Sequence, residues 1–80
     1  MNIVEYIFTA HARDRMRERN ISAEEVRLVT NNPDMSYPGT KGETNNMKII
    51  KGRNIRVVFV GEEPKKIITV MIVGQPGEAK

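Results

Sequence analysis

The sequence predicts an α+β domain of order β-α-α-β-β-β, with two N-terminal helices packed on one face of a small antiparallel sheet. Three observations carry this expectation. Strand-type residues alternate over residues 2–8, a helix start with both a capping box and a hydrophobic staple lies at Ile21–Val26, and the carboxyl half holds three β-branched runs parted by glycine turns.

Residues 2–8 set Ile3, Glu5 and Ile7 against Val4, Tyr6 and Phe8, the two-residue period of a strand. Thr9 is placed to cap a helix over Ala10–Arg19, a run without glycine or proline, and Asn20 suits a left-handed stop. In the second helix Ser22 and Glu25 form the capping box, with Ile21 set to pack on Val26. Val26, Val29 and Thr30 line one face, with Leu28 beside it. Asn31, Asn32 and Pro33 end it, because proline bars its predecessor from helical geometry.

The stretch Asp34–Asn45, with Pro38, Gly39 and Gly42, reads as a long loop holding at most a short strand at Met35–Tyr37. Strands at residues 46–51, 54–60 and 66–73 follow. A tight turn at Gly52-Arg53 and a looser one at Gly61-Glu62-Glu63-Pro64 join them into a meander. The last two are apolar on both faces in part, as central strands are. Residues 1–73 thus make one domain, and 74–80, with Pro76 and Gly77, a frayed tail.

Eighty residues hold no more than one small core, and 39% apolar with 29% charged residues exclude intrinsic disorder as the starting expectation. The absence of cysteine excludes disulfides, thiolate zinc sites and cysteine nucleophiles. One histidine and no dense acidic cluster argue against a protein-built metal site, and no cofactor motif is present. The apolar run Ile3–Phe8 is interrupted by Glu5 and lacks the flanks of a signal peptide, and no stretch reaches the roughly 18–20 apolar residues of a membrane span. A cytoplasmic protein without membrane attachment is expected.

Charge is uneven. Residues 1–30 balance five arginines against five acids, whereas Lys41, Lys48, Lys51, Arg53 and Arg56 face Glu43 alone. Folded as a hairpin, that segment becomes either a patch for the phosphates of RNA or DNA, or simply the solvated surface of a basic protein.

A helix from Ala10 sets Ala12 and Met16 on one stripe and His11, Arg15 and Arg19 on the next, a basic ridge beside the buried face. The positive helix end disfavours the imidazolium of His11, and a neutral imidazole is a general base. A lone histidine at a helix start is more often a half-buried residue bonding a neighbour. Arg15 and Arg19 have carboxylates near them for ordinary surface pairs. In the sheet, Arg56 shares a face with Val58 and Val60 and opposes Phe59; Lys48, Lys51 or Arg53 would join it there around a phosphate, or Arg56 guards a strand edge. Thr69 is the one hydroxyl in its strand.

The string Phe8-Thr9-Ala10-His11-Ala12-Arg13-Asp14-Arg15-Met16-Arg17-Glu18-Arg19-Asn20-Ile21-Ser22 resembles the small proteins grouped as domain of unknown function 4258, which read Thr-x-His-Ala-x-x-Arg-Met-x-x-Arg-x-Ile. Gly52-Arg53-Asn54-Ile55-Arg56-Val57-Val58 and Ile67-Ile68-Thr69-Val70 fit that family's strand patterns, so the resemblance spans most of residues 6–73. Asn20 stands where glycine is usual, and the loop before the hairpin is long.

That family is similar in fold to the RelE-like toxins and the wider barnase-like ribonucleases, small α+β domains that cleave RNA. The resemblance implies metal-independent RNA cleavage: a base takes the ribose 2′-hydroxyl proton, the oxygen attacks phosphorus, and an acid protonates the departing 5′ oxygen. It gives His11 a proton-transfer role. Arg15, Arg53 and Arg56 become charge stabilisers, and Arg19, Lys48, Lys51, Arg53 and Thr69 phosphate contacts. The second proton-transfer group falls to Glu5, Glu43, Lys51 or ribosomal RNA. RNA or the ribosome and a protein antitoxin are the implied partners. A non-catalytic RNA- or protein-binding module on the same scaffold is the alternative.

Overall fold

The computed structural model describes residues 5–74. Its elements run β1 (Tyr6–Phe8), α1 (Ala10–Arg19), α2 (Ala23–Asn31), β2 (Met35–Pro38), β3 (Thr44–Ile50), β4 (Arg53–Val60) and β5 (Lys65–Ile72). The expected start of the first strand and all of the expected tail but Gly74 lie outside the described residues.

Both helices form as their capping chemistry dictates. Thr9 accepts from the Ala12 amide, and Asn20 takes the left-handed conformation at φ 58°. Ser22 and Glu25 close the reciprocal capping box, and Ile21 and Val26 are both buried in the core.

The five strands order as β1-β5-β4-β3-β2. The sheet is mixed rather than antiparallel as the sequence suggested, because β1 pairs parallel to β5 at the edge. The expected loop also folds further than its composition suggested. β2 pairs with β3 from Met35↔Met47 to Pro38↔Thr44, leaving only residues 39–43 as the connection. Asn45 and Asn46 are poor strand formers by propensity, yet both are buried; Asn46 donates its amide to the carbonyls of Val29 (3.4 Å) and Thr30 (3.2 Å) at the end of α2. Those otherwise open helix-end carbonyls explain why an asparagine belongs in this strand.

The β3–β4 turn is Lys51-Gly52, one residue earlier than expected, with φ of 54° and 79°. Two consecutive positive φ values match the type I′ turn that fits the sheet's twist.

Strand alternation divides the sheet into two faces. Ile55, Val57 and Phe59 of β4 and Ile67 and Val70 of β5 meet Ala12, Ile21, Val26 and Val29 of the helix layer in one core. Among the described residues no helix covers the other face, which carries Met35, Tyr37, Asn45, Met47, Arg56, Val58, Thr69 and Met71.

Candidate functional site

Register sets the site. Tyr37, Asn45, Val58 and Thr69 are cross-strand partners in one row over β2, β3, β4 and β5, and Met35, Met47, Arg56 and Met71 form the next row. Both lie on the uncovered face.

His11 joins the first row from the helix layer. β1 pairs only with residues 65–67 of β5, so the rest of that strand edge is left for α1. Thr9 anchors the helix there, its hydroxyl 3.0 Å and 3.1 Å from the carbonyls of Ile67 and Ile68. A register shift in the β4–β5 pairing leaves Ile68 without a partner and turns Thr69 away from the core. Two residues after Thr9, in the first turn of the helix, His11 Nε2 lies 3.1 Å from Thr69 Oγ1, at the rim of the open face. Arg15, four residues on, follows on the same stripe. Its guanidinium holds Glu18 at 2.6 Å in an exposed pair, worth about 0–1 kcal/mol and readily given up to a stronger anion.

Arg56 occupies the middle of the face. Its Nη1 donates to the Tyr37 hydroxyl at 3.2 Å and its Nη2 to Met71 Sδ at 2.9 Å, while the covered Nε has no partner. Among the described residues no carboxylate pairs with it. A half-buried guanidinium whose bonded donors meet only a phenol and a thioether, and no carboxylate, keeps its charge available to an incoming anion.

The structure separates the other expected phosphate ligands from this centre. Lys48 and Arg53 lie on the helix face. Lys48 approaches Asp34 at 3.5 Å. Arg53 donates to the carbonyls of Arg19 (2.7 Å) and Asn20 (3.1 Å) and to Glu25 (3.3 Å), clamping the end of α1 to the start of α2. Lys51 sits at the hairpin tip, six residues along β3 from Asn45 and so about 20 Å away. Arg19 is at the last turn of α1, two turns beyond His11. The hairpin therefore makes no single basic patch, since alternation sends neighbouring cations to opposite faces.

Three residues of the open face stood outside the expected site. Lys66, partner of Val60 and Ile7, is exposed on the open face on the other side of the His11–Thr69 row from Arg56. Tyr37 and Asn45 lie in the stretch expected to be loop. The alternation Met35-Ser36-Tyr37 was the available signal, and it needed β3 as a partner to become a strand.

Two acids have pKa values held below the ordinary range, and both are structural. For Glu25 the Ser22 amide contributes most, followed by the charge and hydrogen bond of Arg53, against the opposing effect of burial. For Asp34 the Ile49 amide contributes most and Lys48 adds to it. A groove of about 500 Å³ lies on the helix side between α2 and the β3–β4 turn, lined by Glu24, Glu25, Arg27, Leu28, Ile50 and Lys51 among others. Its charges balance, and it is remote from His11 and Arg56. Among the described residues no group of three His, Cys, Asp or Glu side chains is set to hold a metal ion, and no helix is long and apolar enough to cross a membrane.

A small α+β domain with a helix layer on one face and a polar row on the other is the class the geometry defines. The family model described as Domain of unknown function (DUF4258) matches residues 8–72, and the chain belongs to that family. No curated protein and no solved structure matches it.

Proposed function

We propose that this protein is a metal-independent endoribonuclease of RelE-like type, cleaving RNA on the open sheet face by attack of the 2′-hydroxyl. The observation that carries the reading is the convergence of His11, Thr69 and Arg56. The lone imidazole and an arginine with no carboxylate partner come to one uncovered face from α1 and β4, elements far apart in sequence. His11 takes the 2′-hydroxyl proton, with Thr69 orienting its ring. Arg56 stabilises the charge gathering on phosphorus, and Lys66 and Arg15 flank the strand of RNA. The products are a 2′,3′-cyclic phosphate and a free 5′-hydroxyl.

A second reading, a protein-binding module, rests on Met35, Met47 and Met71 around Arg56. Methionines adapt to a partner's shape, and arginine is a common anchor of interfaces. Among the described residues the open face carries no acid beside Arg56, so such a partner, an antitoxin included, brings a carboxylate.

The test is cleavage of naked RNA and of message on translating ribosomes in excess EDTA, with His11→Ala and Arg56→Met alongside. Loss of wild-type cleavage in both variants, with melting temperatures kept, supports the nuclease. Cleavage absent from the wild-type protein on both substrates rejects it.

A further inference from the structure

We infer that Tyr37 is the general acid that protonates the departing 5′ oxygen, opposite His11. This rests on the nuclease reading above and supplies the proton-transfer group that a chain with one histidine otherwise lacks.

The candidates named by sequence are poorly placed. Lys51 is at the far hairpin tip. Glu43 is turned into its own loop, where its Oε1 accepts from the Lys41 amide at 2.9 Å and its carboxylate lies against Gly39. Glu5 precedes β1 at the outer edge of the sheet, and its carbonyl takes the Lys65 amide. Among the open-face side chains named here, the proton donors that remain are Tyr37 and Lys66.

Geometry chooses between them. In phosphoryl transfer the attacking and leaving oxygens lie roughly in line through phosphorus, so base and acid belong on opposite sides of it. Across this face the order is His11 beyond β5, Arg56 on β4, then Tyr37 on β2. Lys66 stands on β5, the strand that anchors His11, and so on the base's side. The Tyr37 hydroxyl accepts from Arg56 Nη1 at 3.2 Å and keeps its own proton free to donate. The guanidinium that stabilises the phosphorane also stabilises the phenolate left behind.

The protons balance. His11 removes one from the 2′-hydroxyl as the O–P bond forms. Tyr37 gives one to the 5′ oxygen as the P–O bond breaks, and water returns the imidazolium and the phenolate to their starting forms.

The experiment is single-turnover cleavage of an RNA cut by the wild-type protein, compared with the same RNA carrying sulfur in place of the bridging 5′ oxygen at the cut. A thiolate leaves without an acid. Tyr37→Phe is expected to slow the oxygen substrate about 100- to 1,000-fold and leave the sulfur substrate within about threefold of wild type. His11→Ala slows both, and Lys66→Met changes both alike. Equal slowing of the two substrates by Tyr37→Phe makes Tyr37 a support for Arg56 and overturns the inference, as does no slowing at all. In either case His11-dependent cleavage leaves the nuclease standing, whereas a wild-type protein that cuts no RNA removes both. A Tyr37→Phe melting temperature near wild type excludes misfolding as the cause.

Discussion

Replacing Arg53 by methionine removes the clamp between the two helices while keeping an unbranched stem of similar reach. The guanidinium is three-quarters covered, its Glu25 partner more so at 14% exposure, and two helix-end carbonyls depend on it. A fully exposed pair is worth about 0–1 kcal/mol, and breaking a fully buried one costs about 3–5 kcal/mol. The intermediate burial places the loss at about 2 kcal/mol. For a domain of this size that is a fall in melting temperature of roughly 8–16 °C at pH 7. The pH dependence has a defined sign. The Glu25 pKa is lowered from the ordinary 4.5 in the fold, so the unfolded chain binds the extra proton between the two values and stability rises with pH there. The contribution is full above the ordinary value and fades as pH falls through the lowered one. Because the Ser22 amide is the first cause of the shift and the carbonyl contacts do not titrate, the gap between wild type and Arg53→Met narrows in acid without closing. Circular-dichroism melts at pH 7 and pH 3 measure it. A variant melting within about 3 °C of wild type at pH 7 would refute the assignment of Arg53 to structure and return it to the pool of free phosphate ligands.

Asn46→Ala leaves the Val29 and Thr30 carbonyls and the Ser36 hydroxyl without their partner inside the sheet–helix contact, and is expected to cost about 2–3 kcal/mol in urea denaturation. A cost under about 1 kcal/mol means that water replaces it. Arg56→Met removes a covered N–H with no acceptor together with the bonds to Tyr37 and Met71, opposing effects that leave the unfolding free energy within about 1 kcal/mol of wild type, and on the proposed nuclease reading it abolishes RNA cleavage; a loss above about 2 kcal/mol would make Arg56 a core residue.

Local chemistry made the helices legible. Thr9, Asn20, Ser22 and Glu25 act within four residues of themselves, and the side chains that cap are the ones that the free amides of a helix start require. The β2 strand was hardly legible, since a four-residue strand has meaning only beside a partner, and its partner β3 begins Thr44-Asn45-Asn46, where the reason for Asn46 lies in α2. The parallel pairing of β1 was likewise out of reach, for three residues carry no directional signal.

The sequence by itself determined the α+β class, the extents of both helices, the three principal strands and the odd position of Arg56 among apolar neighbours, because each follows from periodicity or from contacts a few residues long. Tertiary structure decided which charges share a face. Strand alternation and the β4–β5 register send Arg53 and Lys48 under the helices and bring Arg56 and Lys66 to the open side. The short β1 leaves an edge of β5 along which α1 carries His11 to Thr69. A side chain's face is set by the number of residues between it and its neighbours, but which residue of another strand it meets depends on register, and register is a property of the assembled sheet.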